Sequence, residues 1–194
     1  AGTGKTTVEI AKMLPDKEVI ALEPSKYMRI AFMSRLVEHE EVRKQITVLP
    51  WTVKQYDFKE EISGILCMGV LGHLKEERQY FWEKLDSVLK TNVPILIGLL
   101  DPRFLNVPKG SRISVTTQGR IRYETYITEI KHVMEKSWEW LMTYKIFFGD
   151  KIISVIESPM EWNYDSAENV LNELEQANFR GIKLSDTLLL VRKR

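Results

Sequence analysis

A short glycine loop, followed nineteen residues later by a carboxylate, is the pattern in this sequence best fitted to bind and position a ligand. The chain opens Ala1-Gly2-Thr3-Gly4-Lys5-Thr6-Thr7. Glycines ahead of a helix let the backbone approach a ligand closely, and the helix N-terminus beyond them favours negative charge. Glu23 closes the apolar run Glu18 to Leu22, at the carboxyl end of a predicted strand. In doubly wound folds an acid at that place accepts hydrogen bonds from the ribose hydroxyls of a bound nucleoside. Pro24 and Ser25 come next, and Met28 is able to pack on the edge of an adenosine.

The same opening residues permit a second chemistry. Gly2-Thr3-Gly4-Lys5-Thr6-Thr7 is also the tail of a phosphate-cradling loop, in which Lys5 reaches the phosphates and Thr6 a magnesium ion. Asp101, ending the run Ile95 to Leu100, imitates the metal-binding acid of such a P-loop nucleotide hydrolase. Against that alternative, Glu23-Pro24-Ser25 has no task in a phosphate hydrolase, and no catalytic acid follows Asp101-Pro102. A third alternative is a binding or scaffold protein that keeps the fold without the chemistry.

Loops of this kind work only where strands and helices aim them. Thr6 to Leu14 has a helical face of Val8, Ile10, Ala11 and Leu14, stopped by Pro15-Asp16. From Pro24 the next helix carries Met28, Ala31, Phe32 and Leu36 as its stripe. Ile46 to Leu49, Ile62 to Met68 and Pro94 to Leu100 read as further strands, with a helix from Glu76 to Leu89 burying Phe81, Leu85, Val88 and Leu89. Strands alternating with helices predict an α/β, doubly wound, mostly parallel Rossmann-like sheet. After Asp101 the texture changes. Residues 103–118 read as a polar loop; Arg120 to Ile127, Ser137 to Phe148 and Ile152 to Trp162 then form an antiparallel β insertion, the last two joined by a turn at Phe148-Gly149-Asp150-Lys151. Asp165-Ser166-Ala167-Glu168 is a capping box opening a helix with Val170, Leu171, Leu174 and Ala177 inward. An antiparallel hairpin, Gly181 to Leu184 and Thr187 to Val191, closes the chain. Residues 1–194 are thus expected to be one domain, with a cofactor half (1–102), a loop and β insertion on the substrate side (103–164) and a closing helix and hairpin (165–194).

Composition narrows the partners. At 44% hydrophobic and 28% charged residues, the chain has enough apolar sequence for a packed core. A formal net charge of +1 gives no electrostatic footprint for nucleic acid or an anionic membrane. No apolar run is long enough to span a bilayer, and one cysteine, Cys67, rules out a disulfide framework. A cytoplasmic protein is expected. His39 and His132 have no metal-ligand spacing with Cys67, so no metal is assigned.

Three motifs in order, A-G-T-G at the start, E-P-S-x-x-M from Glu23 and G-I-L-C-M-G-V-L-G-H-L from Gly64 to Leu74, resemble those of class I S-adenosylmethionine-dependent methyltransferases. The likeness runs over roughly residues 1–102, and the closing helix and hairpin match the family's usual ending. It implies S-adenosyl-L-methionine as cofactor, with Gly2, Thr3 and Gly4 facing the methionine moiety and ribose, and Glu23 on the ribose. It implies too that Trp51 and Thr52 flank the adenine and that Met68, Gly69 and Val70 line the floor under the sulfonium. His73, just beyond, is a candidate general base because an imidazole titrates near neutrality; the plainer alternative is a helix-start residue shaping the pocket.

Along a strand Trp138, Trp140, Met142 and Tyr144 share parity and hence one face. Packing against the rest of the domain is the simpler use of that face; an aromatic wall for a flat or amine-bearing substrate is the functional one. Sugar and amine methyltransferases that the chain resembles put antiparallel strands over the active site in this part of the sequence, which implies a small-molecule acceptor. Finally, the glycine loop normally follows a buried strand, which would precede Ala1. By the resemblance that strand lies between those ending at Leu22 and Met68, and a protein beginning at Ala1 is expected to be poorly soluble or cofactor-blind.

Overall fold

The computed structural model describes residues 1–58, 61–75 and 77–194, which form two compact units, Ala1–Glu61 and Ile62–Arg194. Glu76, where a helix was expected to begin, lies outside the described residues.

In the first unit, helix α1 (Lys5–Met13) springs from Gly4, whose φ of 77° lies in the left-handed region that favours glycine. Strands β1 (Val19–Leu22) and β2 (Ile46–Leu49) pair in parallel, with Val19 opposite Ile46 and Leu22 opposite Leu49. Between them run α2 (Lys26–Glu38) and the short α3 (Glu40–Arg43). Ser25 caps α2, its hydroxyl accepting from the Met28 amide at 3.4 Å, so Pro24 stands just ahead of the helix rather than in its first turn. Val8, Ala11, Ala21, Phe32, Leu36, Val42 and Ile46 make the core. Met28 and Ala31, expected on the buried stripe of α2, are instead exposed. A thirteen-residue helix is about 20 Å long, whereas four-residue strands span about 13 Å, so α2 overhangs its ladder and buries only Phe32 and Leu36. Leu14 likewise falls past the end of α1 and is exposed.

The second unit contains β3 (Ile65–Met68), α4 (Leu71–Leu74), α5 (Glu77–Val88), β4 (Pro94–Gly98), a 3-10 segment (Pro102–Asn106), β5 (Ser111–Gln118), β6 (Ile121–Met134), β7 (Ser137–Phe148), β8 (Lys151–Asn163), α6 (Ala167–Gln176), β9 (Phe179–Ser185) and β10 (Leu188–Lys193). One sheet has the order β3-β4-β10-β9, parallel between β3 and β4 and antiparallel elsewhere. The other, β5-β6-β7-β8, is an antiparallel meander. The class is α/β, but among the described residues parallel pairing is confined to β1–β2 and β3–β4, so a mostly parallel sheet describes only part of the chain. Residues 111–118, expected in a loop, form β5. Their sequence S-R-I-S-V-T-T-Q hides the strand because nearly all of it is exposed on an edge and needs no apolar alternation. β6 also runs on to Met134, past the expected stop at Ile127, held in register by β7.

α5 buries Arg78, Phe81, Trp82 and Leu85, while Val88, expected inside, is 38% exposed. The cap of α6 is Ser166, whose hydroxyl accepts from the Asn169 amide at 3.2 Å, not Asp165. Asp165 is freed for another partner: Arg78 Nη1 donates to it at 2.7 Å, and Lys136 Nζ, in the β6–β7 turn, lies 2.9 Å from it. Arg78 Nε also donates to Glu173 on α6 at 2.8 Å, and the Trp82 indole donates to the same carboxylate at 2.5 Å. One buried guanidinium therefore joins α5, α6 and the base of the insertion.

Candidate functional site

Within the first unit the glycine loop and Glu23 meet. Oε2 of Glu23 accepts from the Gly2 amide at 2.5 Å and from the Ala1 nitrogen at 2.9 Å, and Oε1 accepts from the Ser25 amide at 2.9 Å. Burial alone would raise the Glu23 pKa, whereas the hydrogen bonds from the Ser25 and Gly2 amides of its own loop lower it. An ionised carboxylate offers about four lone-pair sites, so with three occupied it can still accept from a hydroxyl. Arg29 clamps the strand end by donating to the carbonyls of Glu23 and Pro24 at 2.8 and 2.7 Å, and Arg35 Nε donates to the Thr3 carbonyl at 2.9 Å. A Cβ on Gly4 would stand 2.1 Å from the Phe32 ring, which explains the bare backbone at that turn. Neither arginine was foreseen. Their only signal is charge at Arg29 and Arg35, flanking Phe32 on a helix otherwise apolar on that side.

Trp51 and Thr52 follow β2. Trp51 inclines to Tyr56 with ring centroids 6.3 Å apart, and the Thr52 amide donates to Gln55 Oε1 at 2.9 Å.

In the second unit Met68, Gly69 and Val70 end β3 and lead into α4. The Gly69 amide donates to the Gly98 carbonyl at 3.0 Å, and its φ of 60° again requires the left-handed region. A Cβ on Gly98 would lie 2.5 Å from Met68 Cε, the far end of a flexible side chain that can move aside. His73 presents its ring edge-to-face to Trp162 at 4.3 Å. Trp162 in turn rests on Gly72, where a Cβ would lie 2.1 Å from the indole. A cavity of about 10 Å³, room for one water-sized group, is bounded by Leu71, Gly72, Leu100, Trp162, Tyr164 and Asp165.

The β7 residues Trp138, Trp140 and Met142 do share a face, opposite His132, Ile130 and Ile127 respectively. Trp140, Ile127 and Trp162 form a buried cluster with Trp138 and Met142 packed on it, while Tyr144, further along the same face, is 39% exposed. Packing accounts for three of the four. His39 pairs with Glu41 at 3.3 Å, and His132 lies against Trp138. Among the described residues no group of three histidine, cysteine or acidic side chains is placed to hold a metal ion. No helix described is long and apolar enough to cross a membrane. Cys67 is buried, and burial pushes its thiol up to about 12. The hydrolase alternative is not supported: both oxygens of Asp101 are taken by Arg103 at 2.9–3.0 Å, where they cap the 3-10 segment.

Residues 1–92 match a family model described as a methyltransferase domain. No curated protein matches the sequence. Among solved structures the chain is similar to the sugar N-methyltransferase KedS8 from Streptoalloteichus sp. ATCC 53650, with TM-score 0.75 and 16% identity over 100% of this chain and 77% of that one. DesVI from Streptomyces venezuelae gives TM-score 0.76 and 14% identity, covering 99% of this chain and 80% of that one. CalS10, an amino pentose methyltransferase from Micromonospora echinaspora solved with S-adenosylmethionine bound, gives 0.73 and 11%, covering 100% and 80%.

Proposed function

We propose that the chain, whose residues 1–92 match a methyltransferase-domain model and whose α/β fold is that of the similar methyltransferase structures, transfers the methyl group of S-adenosylmethionine to an oxygen or nitrogen of a small-molecule acceptor. The observation that carries this reading is Glu23: a buried, ionised carboxylate tied to the amides of its own glycine loop, with acceptor capacity left for a ribose hydroxyl. Gly2, Thr3 and Gly4 shape that loop, and Ser25 holds the second oxygen of Glu23. By the same reading Trp51 and Thr52 serve the adenine, and Met68, Gly69 and Val70 the sulfonium end.

Bound S-adenosylmethionine supplies a methyl already activated by its sulfonium, so the protein's task is alignment and exclusion of water. Gly69, its amide held by the Gly98 carbonyl, and its neighbour Met68 would form the floor for that alignment. His73 is held by Trp162 and shapes the acceptor's side of β3; it remains the candidate to take a proton from an acceptor hydroxyl or ammonium. A sugar or amino sugar acceptor is supported by the names of the similar structures, KedS8 and CalS10. A cytoplasmic location fits the single buried thiol.

The test is transfer of labelled methyl from S-adenosylmethionine to a panel of amino pentoses, amino hexoses and their hydroxyl counterparts, using the full-length protein. Label should appear on at least one sugar-class acceptor, with S-adenosylhomocysteine as co-product. Label confined to protein or nucleic acid would overturn the small-molecule assignment.

A further inference from the structure

Among the described residues of the second unit two buried side-chain nitrogens lack a hydrogen-bond partner, and one of them, Arg78 Nη2, is ion-paired with Glu173 at 2.6 Å. The indole nitrogen of Trp140 is buried and has no hydrogen-bond partner, though the residue itself is only 3% exposed. An unpaired buried N–H is unfavourable by about 1–3 kcal/mol, and such groups are uncommon enough to need a reason. Phenylalanine would fill an apolar site of this kind without that penalty.

Ile130, Trp138, Met142 and Tyr164 pack on Trp140's cluster. Leu105 and Val107, from the 3-10 segment and the residue after it, pack on the cluster, together with Leu100 at the end of β4. Arg103, Phe104 and Asn106 in the same strap are exposed. The strap's own hydrogen bonds close locally: the Arg103 amide and guanidinium donate to Asp101, and the Phe104 amide to the Asp101 carbonyl at 3.0 Å. Its far end is pinned where the Gly110 amide donates to Ile127 on β6 at 2.8 Å. Two inward side chains between two fixed ends make a segment that can lift without unpairing a strand. Leu100, Trp162 and Tyr164 belong both to this cluster and to the wall of the small cavity beside Gly72, so the aromatic surface continues toward His73.

We propose that the acceptor binds on the Trp140 surface beneath the Asp101–Val107 strap, with the Trp140 indole N–H donating to an oxygen on its ring. This rests on the methyltransferase reading and adds the residue that orients the acceptor: a cyclic molecule with one apolar face and an oxygen acceptor at its edge, as a deoxygenated or amino sugar has, would lie on the indole. Trp140 supplies both the flat apolar surface and the single donor that fixes orientation.

The experiment uses the full-length protein carrying 15N-labelled tryptophan and loaded with S-adenosylhomocysteine. Its five tryptophans give five indole signals, and Trp140→Phe identifies the one from Trp140 by its loss. Titration with methyl glycosides of an amino pentose and an amino hexose should move the Trp140 signal downfield, and move it more than those of the other four. Trp140→Phe should melt several degrees below the parent, because the smaller ring leaves space in a buried cluster, yet remain folded. Its affinity for S-adenosylhomocysteine should be unchanged, and its KM for the acceptor raised about tenfold, the effect of one hydrogen bond. A Trp140 signal that stays in place at every sugar concentration, or a Trp140→Phe protein with the parent's KM, overturns the proposal. Failure of the parent to bind S-adenosylhomocysteine is a separate result and strikes the methyltransferase reading itself.

Discussion

Replacing Arg78 with methionine should lower the stability of the protein by about 3–5 kcal/mol, the range found when one partner of a buried ion pair is removed. Arg78 and Asp165 side chains are 9% and 6% exposed, and Glu173 shares the same guanidinium. Methionine keeps much of the volume and removes the charge, so among the described residues the two carboxylates would be left with Lys136, the Asn169 amide and the Trp82 indole for support. The pH dependence follows with a definite sign. Burial would raise the Asp165 pKa, but the Lys136 and Arg78 contacts outweigh it, so the carboxyl sits below its usual value. A depressed carboxyl stabilises the fold fully above its unfolded pKa of about 3.9 and loses that contribution as pH falls through the folded value. Arg78→Met therefore moves the acid-unfolding midpoint to higher pH as well as lowering the chemical-denaturation midpoint at neutrality. A variant with both midpoints unchanged would show that the network carries no net stability.

The second large effect is on ligand binding. Glu23→Ala should weaken S-adenosylhomocysteine binding by about 1.5–3 kcal/mol, or roughly 10- to 150-fold, because hydrogen bonds to a charged group are lost. Glu23→Gln should lose less, since an amide oxygen still accepts from a hydroxyl. The alanine variant also frees the Gly2 and Ser25 amides, which Glu23 now engages at 2.5 and 2.9 Å, so the loop's own order is part of the loss. Calorimetric titration of the three proteins separates these cases. Equal affinities would remove Glu23 from the site.

The loop and its acid were legible because their signals are local and ordered along the chain: glycine before helix, carboxylate at a strand's end. The structure brings Gly2 and Glu23 together through β1, as that order requires. β2 and β7 could be bounded from sequence because each is an uninterrupted β-rich run ended by a turn or proline. β5 could not, since an exposed edge strand has no buried face to impose alternation. Nor could the seat of Trp162 on Gly72 and His73, which joins residues distant in sequence. Arg78 did leave a trace. It sits at i, i+3, i+4 and i+7 with Phe81, Trp82 and Leu85, a charge on an apolar stripe, which is the mark of a paired buried group.

The central question is whether the glycine loop and Glu23 hold an adenosyl sulfonium compound rather than a nucleoside triphosphate. Calorimetric titration of the full-length protein with S-adenosylhomocysteine in the presence of a metal chelator, and separately with magnesium-ATP, puts that question directly. The expected result is saturable, metal-independent binding of S-adenosylhomocysteine that weakens in Glu23→Ala and is unaffected by Lys5→Ala, with no heat from magnesium-ATP. Magnesium-dependent ATP binding that is lost in Lys5→Ala, with no response to S-adenosylhomocysteine, would contradict it.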